Sequence, residues 1–276
     1  MEFVHNIYIY LGLIGTISFI LFSLIIVVVI FLYAFVVCIY CPQKSPLFKF
    51  GKRFLIVIAH PDDECMFFAP AIQQIKSAFS RHPENFTDIY ILCLSIGDFY
   101  KQGNIRKKEL IQSCSILGVP SGNVFVIQHT KMPDSPHCVW RDDLVGRIIL
   151  KYTNMLSVDV VISFDERGVS GHPNHISLFN GLSYLTDEDL VPVGCRFLLL
   201  KTVNKLRKYC SVFDFPLSVC EDGCVLISCP LYILRAQRAM RAHSSQLVWF
   251  RWLYIFFSRY MIINSLVELK KKNKTD

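Results

Sequence analysis

The stretch Phe54-Leu55-Ile56-Val57-Ile58-Ala59-His60-Pro61-Asp62-Asp63-Glu64 sets an apolar run of β-formers directly against ionisable side chains. A buried strand thus ends in a polar turn. In an open α/β sheet, ligands collect outside the carboxyl ends of the strands, so a polar cluster at that position is placed for chemistry. His60 and Asp63 offer an imidazole nitrogen and a carboxylate oxygen to one metal ion, and Pro61 stiffens the turn between them. Asp62 is left free for proton transfer. The competing reading is that the acidic residues only cap a helix beginning near Cys65, because carboxylates suit a helix amino terminus.

A second stretch of the same grammar favours the metal. Val158-Asp159-Val160-Val161-Ile162-Ser163-Phe164 is another apolar run, followed by Gly168-Val169-Ser170-Gly171-His172-Pro173-Asn174-His175 and then a helical pattern. Both turns would lie at one edge of the sheet, where His60, Asp63 and His175 make a three-ligand set. Such a set leaves a position open for water or substrate.

Between and beyond these turns, apolar strands alternate with helical periodicity. Strands are expected at 54–59, 89–94, 124–127, 159–164 and 196–203, with one more at 225–228. Helices are expected at 66–79, 105–117, 144–155, 176–185 and 234–240. The alternation implies right-handed βαβ units and a mostly parallel, Rossmann-like sheet of the α/β class. The turn after the first strand has no G-x-G-x-x-G, so there is no phosphate cradle and dinucleotide binding is discounted.

The two turns, AHPDDE and a later HxxH, resemble the signatures of the PIG-L/LmbE-like family of zinc-dependent de-N-acetylases. The eukaryotic PIG-L branch, whose members act on N-acetylglucosaminyl-phosphatidylinositol in glycosylphosphatidylinositol-anchor synthesis, is the nearest. Arg106-Lys107-Lys108-Glu109-Leu110-Ile111-Gln112-Ser113-Cys114, Ser245-Gln246-Leu247-Val248-Trp249-Phe250-Arg251 and Ser258-Arg259-Tyr260-Met261 carry the same likeness. The resemblance implies an LmbE-like fold and a divalent metal, zinc by preference, on His60, Asp63 and His175. It also implies Asp62 as the general base that later returns its proton to the departing amine. His172 is expected to stabilise the oxyanion or assist protonation, and a structural hydrogen bond within the glycine turn is the alternative. Arg106 matches a position that contacts the sugar, against plain solvation or a salt bridge to Glu109. Asp134 is a further substrate-site candidate, and Glu64 is expected to support the site from behind. Asp165-Glu166-Arg167-Gly168 carries charge where the branch has smaller residues, which bears on access or sugar preference.

The chain has 276 residues and is 53% hydrophobic, above the usual 45–50%, with the excess at its start. Residues 7–40 contain no charged side chain, and a bilayer core needs about 20 apolar residues as a helix. A cleaved signal peptide would have a basic start and a shorter apolar core. Lys44, Lys49, Lys52 and Arg53 follow the run and nothing basic precedes it, which places the following domain in the cytosol. The expected layout is a membrane anchor at 1–41, a linker at 42–52, an LmbE-like domain at 53–264 and a basic tail at 265–276. The location expected is the endoplasmic reticulum membrane, crossed once.

The eleven cysteines lack disulfide spacing and read as reduced thiols. A second metal site at Cys220, Cys224 and Cys229 has poor spacing. Cys38 and Cys41 flank the anchor as palmitoylation candidates, and Asn85 and Asn273 head glycosylation patterns that a cytosolic domain would leave unused. Residues 247–263 are rich in aromatics interrupted by Arg251 and Arg259, and either lie in the membrane interface or pack on the sheet with the arginines reaching solvent. Much of the formal +7 charge sits in the tail, which favours an anionic membrane over nucleic acid because no reading motif accompanies it. Lys272 and Lys274 also match a dilysine retrieval pattern.

These readings converge on hydrolysis of the N-acetyl group of a membrane glycolipid. The alternatives are a deacetylase of another amphiphilic N-acetyl sugar and, from a different class, a non-catalytic membrane-bound interaction subunit.

Overall fold

The computed structural model describes residues 1–40, 46–81, 88–221 and 223–271. Its strands are β1 (Arg53–Ile58), β2 (Asp88–Cys93), β3 (Val124–Val126), β4 (Val160–Phe164), β5 (Arg196–Leu200), β6 (Cys224–Ile227) and β7 (Ile263–Glu268). They form one sheet in the order β3-β2-β1-β4-β5-β7-β6. The helices are α1 (Glu2–Tyr40), α2 (Asp63–Phe67), α3 (Ala69–Arg81), α4 (Gly103–Leu117), α5 (Asp142–Met155), α6 (Gly168–Gly171), α7 (Pro173–Asp187), α8 (Lys205–Lys208), α9 (Phe215–Val219), α10 (Pro230–Ala242) and α11 (Trp249–Phe257).

The central strands show why the pattern folds this way. From Phe54 to Ile58 and from Val160 to Phe164 every side chain is buried, as in a parallel strand covered on both faces. β1 pairs in parallel with β2 and β4, and β5 continues in parallel beside β4. α3, α4 and α10 pack together, and α5 packs against α7. Right-handed crossovers running outward in opposite directions from β1 and β4 put these two groups on opposite faces. The strand order reverses between β1 and β4, so a crevice opens outside their carboxyl ends. The two polar turns emerge there side by side.

The mostly parallel sheet expected from the sequence is present, with two differences. β5 stops at Leu200, three residues short of expectation. β7 pairs antiparallel with both β5 and β6, which carries the sheet to Glu268, past residue 264 where the domain was expected to end. Ser265 and Leu266 are buried in it. Asn264 and Ser265 break the apolar pattern of this strand in the sequence, and both are nonetheless fully buried in it.

Along α1, residues Tyr8–Phe35 are long and apolar enough to cross a membrane, with a mean hydropathy of 3.0 over an 18-residue window. The helix's end is docked on the domain: Tyr33 and Val37 are buried, and the Tyr33 ring meets Phe215 edge-on at 6.1 Å. The Tyr33 hydroxyl donates to the carbonyl of Ser228. Cys41, Asn85, Lys272, Asn273, Lys274 and linker residues 42–45 lie outside the described residues, as does the side chain of Cys38. The nine described cysteines are unpaired, and Cys65, Cys93, Cys114 and Cys224 are buried.

Candidate metal centre and active site

His60 leaves the end of β1, Asp63 opens α2, and His172 and His175 stand one turn apart at the start of α7. His172 is the N-cap of α7, with Pro173 at the first helical position and Nδ1 accepting from the Asn174 amide at 3.2 Å. The preceding turn needs glycine at 168: its φ is +55°, and a Cβ there would lie 2.8 Å from the His175 Cβ. That close approach lets the Gly168 carbonyl reach His175 Nδ1 at 3.0 Å. The His175 ring is stacked on Phe164, with ring centroids 4.1 Å apart.

These contacts decide which nitrogens are available. His60 Nε2 is engaged by Asn174 Oδ1 at 3.0 Å and Asp134 Oδ1 at 3.1 Å, which leaves Nδ1 on the side of Asp63, 3.8 Å from Oδ2. His175 Nδ1 is taken by Gly168, so Nε2 faces Asp63 Oδ1 at 3.2 Å. Two imidazoles, each held through its far nitrogen and turned on one buried carboxylate, form the outer-shell arrangement of a metal site. The donor set therefore fits a divalent cation. Burial works against charge on Asp63, but His175 and His60 outweigh it and hold the carboxyl far below its ordinary range.

His172 belongs to the same cluster: one nitrogen from each of His60, His172 and His175 lies within 4.8 Å of the others. Burial, and then the charges of His60 and His175, bring its pKa down to about 4. A neutral ring whose Nδ1 accepts a hydrogen bond carries its proton on Nε2. Among the described residues it is thus His172, with His60 and His175, that completes a group close enough to hold a metal, and Asp63 lies beside two of the three.

The acidic residues after Pro61 do not act as a simple cap. Asp62 occupies the N-cap position of α2 with φ +119° and makes no side-chain cap bond. Asp63 Oδ2 instead accepts from the amides of Ala59 and His60, at 3.0 and 2.9 Å. Glu64 accepts from the Asp62 amide at 3.0 Å and from Ser113, and is paired with His243 Nε2 at 2.7 Å. Both partners of that pair are fully buried. Burial raises the Glu64 carboxyl, yet His243 and the hydrogen bonds outweigh it and bring it below its usual value. Glu64 thus braces the strained Asp62 backbone from behind.

Arg106 makes no pair with Glu109, which is bound to Ser244 and Ser245. Its guanidinium donates to the carbonyls of Pro61 at 2.7 Å and Gly97 at 3.0 Å, and to Asp134 at 3.2 Å. Asp134 therefore links Arg106 to His60. Asp165, in the charged turn, accepts from the amide and hydroxyl of Thr202 and ties the end of β5, while Glu166 and Arg167 face solvent.

Above this floor lies a cavity of about 730 Å³. Its walls include Phe99, Tyr100, Tyr209, Phe250, Leu253 and Phe257, and the cations Lys208 and Arg251. Arg251 Nη2 is 2.9 Å from Asp62 Oδ2. The helix bearing it, α11, buries Tyr254 and Ile255 and exposes Trp249, Phe250, Leu253, Phe256 and Phe257. It thus packs by one side and presents an apolar side outward. Neither arginine of this region reaches out to solvent as the packed-helix reading expected: Arg251 turns to Asp62, and Arg259 is fully buried with its Nε 2.6 Å from Asp214.

Residues 55–184 match the family model described as GlcNAc-PI de-N-acetylase. The N-acetylglucosaminyl-phosphatidylinositol de-N-acetylase of Bos taurus is 45% identical over 231 residues, covering 82% of this chain and 87% of that one. The chain belongs to the PIG-L family. A probable N-acetylglucosaminyl-phosphatidylinositol de-N-acetylase of Dictyostelium discoideum is 39% identical over 258 residues, covering 83% of this chain and 96% of its own. The N,N'-diacetylchitobiose deacetylase of Pyrococcus horikoshii has a TM-score of 0.55 at 17% identity, covering 82% of this chain and 87% of that one. That likeness is one of fold.

Within this family frame, the sequence reading overlooked Asn174, His243 and the pairing of Arg251 with Asp62. Asn174 lies inside the quoted HxxH turn, fully buried, and donates to the Cys138 carbonyl at 2.8 Å while its Oδ1 meets His60. A polar residue between two histidines was a signal for it. No local signal marks the other two, which act across 179 and 189 residues of chain.

Proposed function

We propose that this chain is a metal-dependent amidohydrolase that removes acetate from N-acetylglucosaminyl-phosphatidylinositol, the second step of glycosylphosphatidylinositol-anchor assembly. The observation that carries the reading is the turning of His60 Nδ1 and His175 Nε2 onto Asp63, with Asp62 beside them under a cavity. The names of the relatives supply the substrate.

His60, Asp63 and His175 would hold the cation, zinc by preference. Bound there, it supplies a lowered pKa for water and polarisation of the acetyl carbonyl. Asp62 takes the proton of the attacking water and returns it to the amine nitrogen as the C–N bond breaks, so the products are acetate and a free amino sugar. Its carboxylate is held for this by Arg251 and, at 3.7 Å, by Arg106. The Nε2–H of His172 donates to the carbonyl oxygen as negative charge gathers on it. Arg106 lines the cavity and reaches the sugar while fixing the Pro61 turn. In this reading α1 spans the endoplasmic reticulum membrane with the domain on the cytosolic side, and the exposed face of α11 lies against the lipid interface.

The test is acetate release from the glycolipid by the full chain in detergent, with and without chelator. Zinc is expected to restore chelated protein. Asp62→Asn should keep its metal and lose about 10²–10⁴-fold in rate. Turnover indifferent to chelator, or a full rate in Asp62→Asn, would refute the assignment. Bound zinc without turnover would mean a different acetylated substrate.

A further inference from the structure

The cavity floor carries three carboxylates and all are engaged. Asp63 faces His60 and His175, Asp134 faces His60 and Arg106, and Asp62 faces Arg251 and Arg106. Of the cations on the wall, Lys208 alone has no carboxylate within 4.0 Å among the described residues. Its placement is built into the fold. Asn204 caps α8 by accepting from the Arg207 amide at 2.9 Å, and the Arg207 guanidinium is tied to Asp214 at 2.6 Å. Arg207 is thereby committed inward, and the next residue, Lys208, lines the cavity.

Burial, then the positive charges of Arg251 and Lys205, hold the Lys208 ammonium below the usual lysine range. Two cations from separate elements repel each other across a partly desolvated wall, an arrangement that an anion between them relieves. Outward from this pair, Phe250, Leu253 and Phe257 line the mouth, and Trp249 and Phe256 continue onto the exposed face of α11. Exposure along this lining thus rises from the buried His60, Asp63 and His175 through the half-buried Lys208 and Arg251 to the exposed Phe250, Leu253 and Phe257. A glycolipid presents N-acetyl sugar, phosphodiester and acyl chains in that same order.

We propose that Lys208 and Arg251 form an anion subsite that takes the phosphodiester of the glycolipid substrate. This rests on the deacetylase reading above and adds the determinant by which the site selects a phospholipid-linked sugar over a free one. Lys208 is a specificity residue, and Arg251 also positions Asp62, so Lys208 is the cleaner position to vary.

The experiment compares a short-chain N-acetylglucosaminyl-phosphatidylinositol with phosphate-free N-acetylglucosaminyl-inositol, using the zinc-loaded full chain in detergent. Lys208→Ala should shrink the ratio of the two kcat/KM values by about tenfold or more, and Lys208→Arg should restore most of it. Equal effects on both substrates, or none, overturn the subsite. In parallel, glycerophosphoinositol is titrated calorimetrically. Binding that weakens about tenfold in Lys208→Ala supports the subsite, and unaltered or absent binding overturns it. Unmutated protein that deacetylates neither substrate would refute the deacetylase reading, and the titration would still decide the subsite.

Discussion

Asp214 is the centre of a buried charge cluster whose members are unequal, and that inequality is measurable. Its Oδ1 lies 2.6 Å from Arg207 Nε, and its Oδ2 lies 2.6 Å from Arg259 Nε and 3.0 Å from Arg207 Nη2, with Ser218 donating at 2.7 Å. Asp214 and Arg259 have no side-chain exposure, and Arg207 has 20%. In Asp214→Asn, Arg259 stays buried without a carboxylate, a change that costs about 3–5 kcal/mol. In Arg259→Met, Asp214 keeps Arg207 as its counter-charge, and an Nη1 that has no hydrogen-bond partner disappears. Its cost, mainly the lost bonds to Ser218 and Ser265, is about 1–2 kcal/mol. For a domain of this size 1 kcal/mol moves Tm by roughly 2–4 °C, so the expected losses are roughly 6–20 °C and 2–8 °C. Thermal unfolding of the two variants in detergent, followed by tryptophan fluorescence, measures both. An Arg259→Met loss as large as that of Asp214→Asn would refute the reasoning, since it would mean Arg207 does not neutralise Asp214.

Two further outcomes follow from the site. Asn174→Ala removes one of the two partners of His60 Nε2 and should weaken zinc binding about 10–100-fold; competition with a fluorescent chelator measures it, and an unaltered affinity would detach Asn174 from the metal centre. His243→Ala strands the Glu64 carboxylate and should cost about 3–5 kcal/mol at pH 6. Burial lowers the His243 pKa but Glu64 raises it further, above 6.5. Its contribution is therefore complete below pH 6.5 and is lost as pH rises through the folded-state value. Denaturation of both proteins from pH 6 to 9 should show the gap closing at high pH, and a gap independent of pH would refute the charged pair.

Much of the site was legible because its parts are local. His60 and Asp63 are three residues apart on one turn, His172 and His175 three apart on another, and each turn follows an apolar run that could only be a buried strand. The doubtful region, 247–263, was doubtful for a physical reason: its aromatics suit a membrane interface and a packed helix equally well. The structure uses it as a helix, a 3-10 turn (Arg259–Met261) and the start of β7. The choice was made by partners elsewhere, Asp62 for Arg251 and Asp214 for Arg259.

The sequence by itself determined the apolar amino-terminal helix, the central parallel strands and the residue types gathered at their ends, since hydrophobic periodicity and turn chemistry are properties of neighbouring residues. Only the tertiary structure decided which imidazole nitrogens face Asp63, that Glu64 is neutralised by His243, and that Lys208 and Arg251 share one cavity wall. Those facts depend on side chains brought together across long stretches of chain, and on the hydrogen bond each ring or guanidinium makes on its far side, which no local pattern encodes.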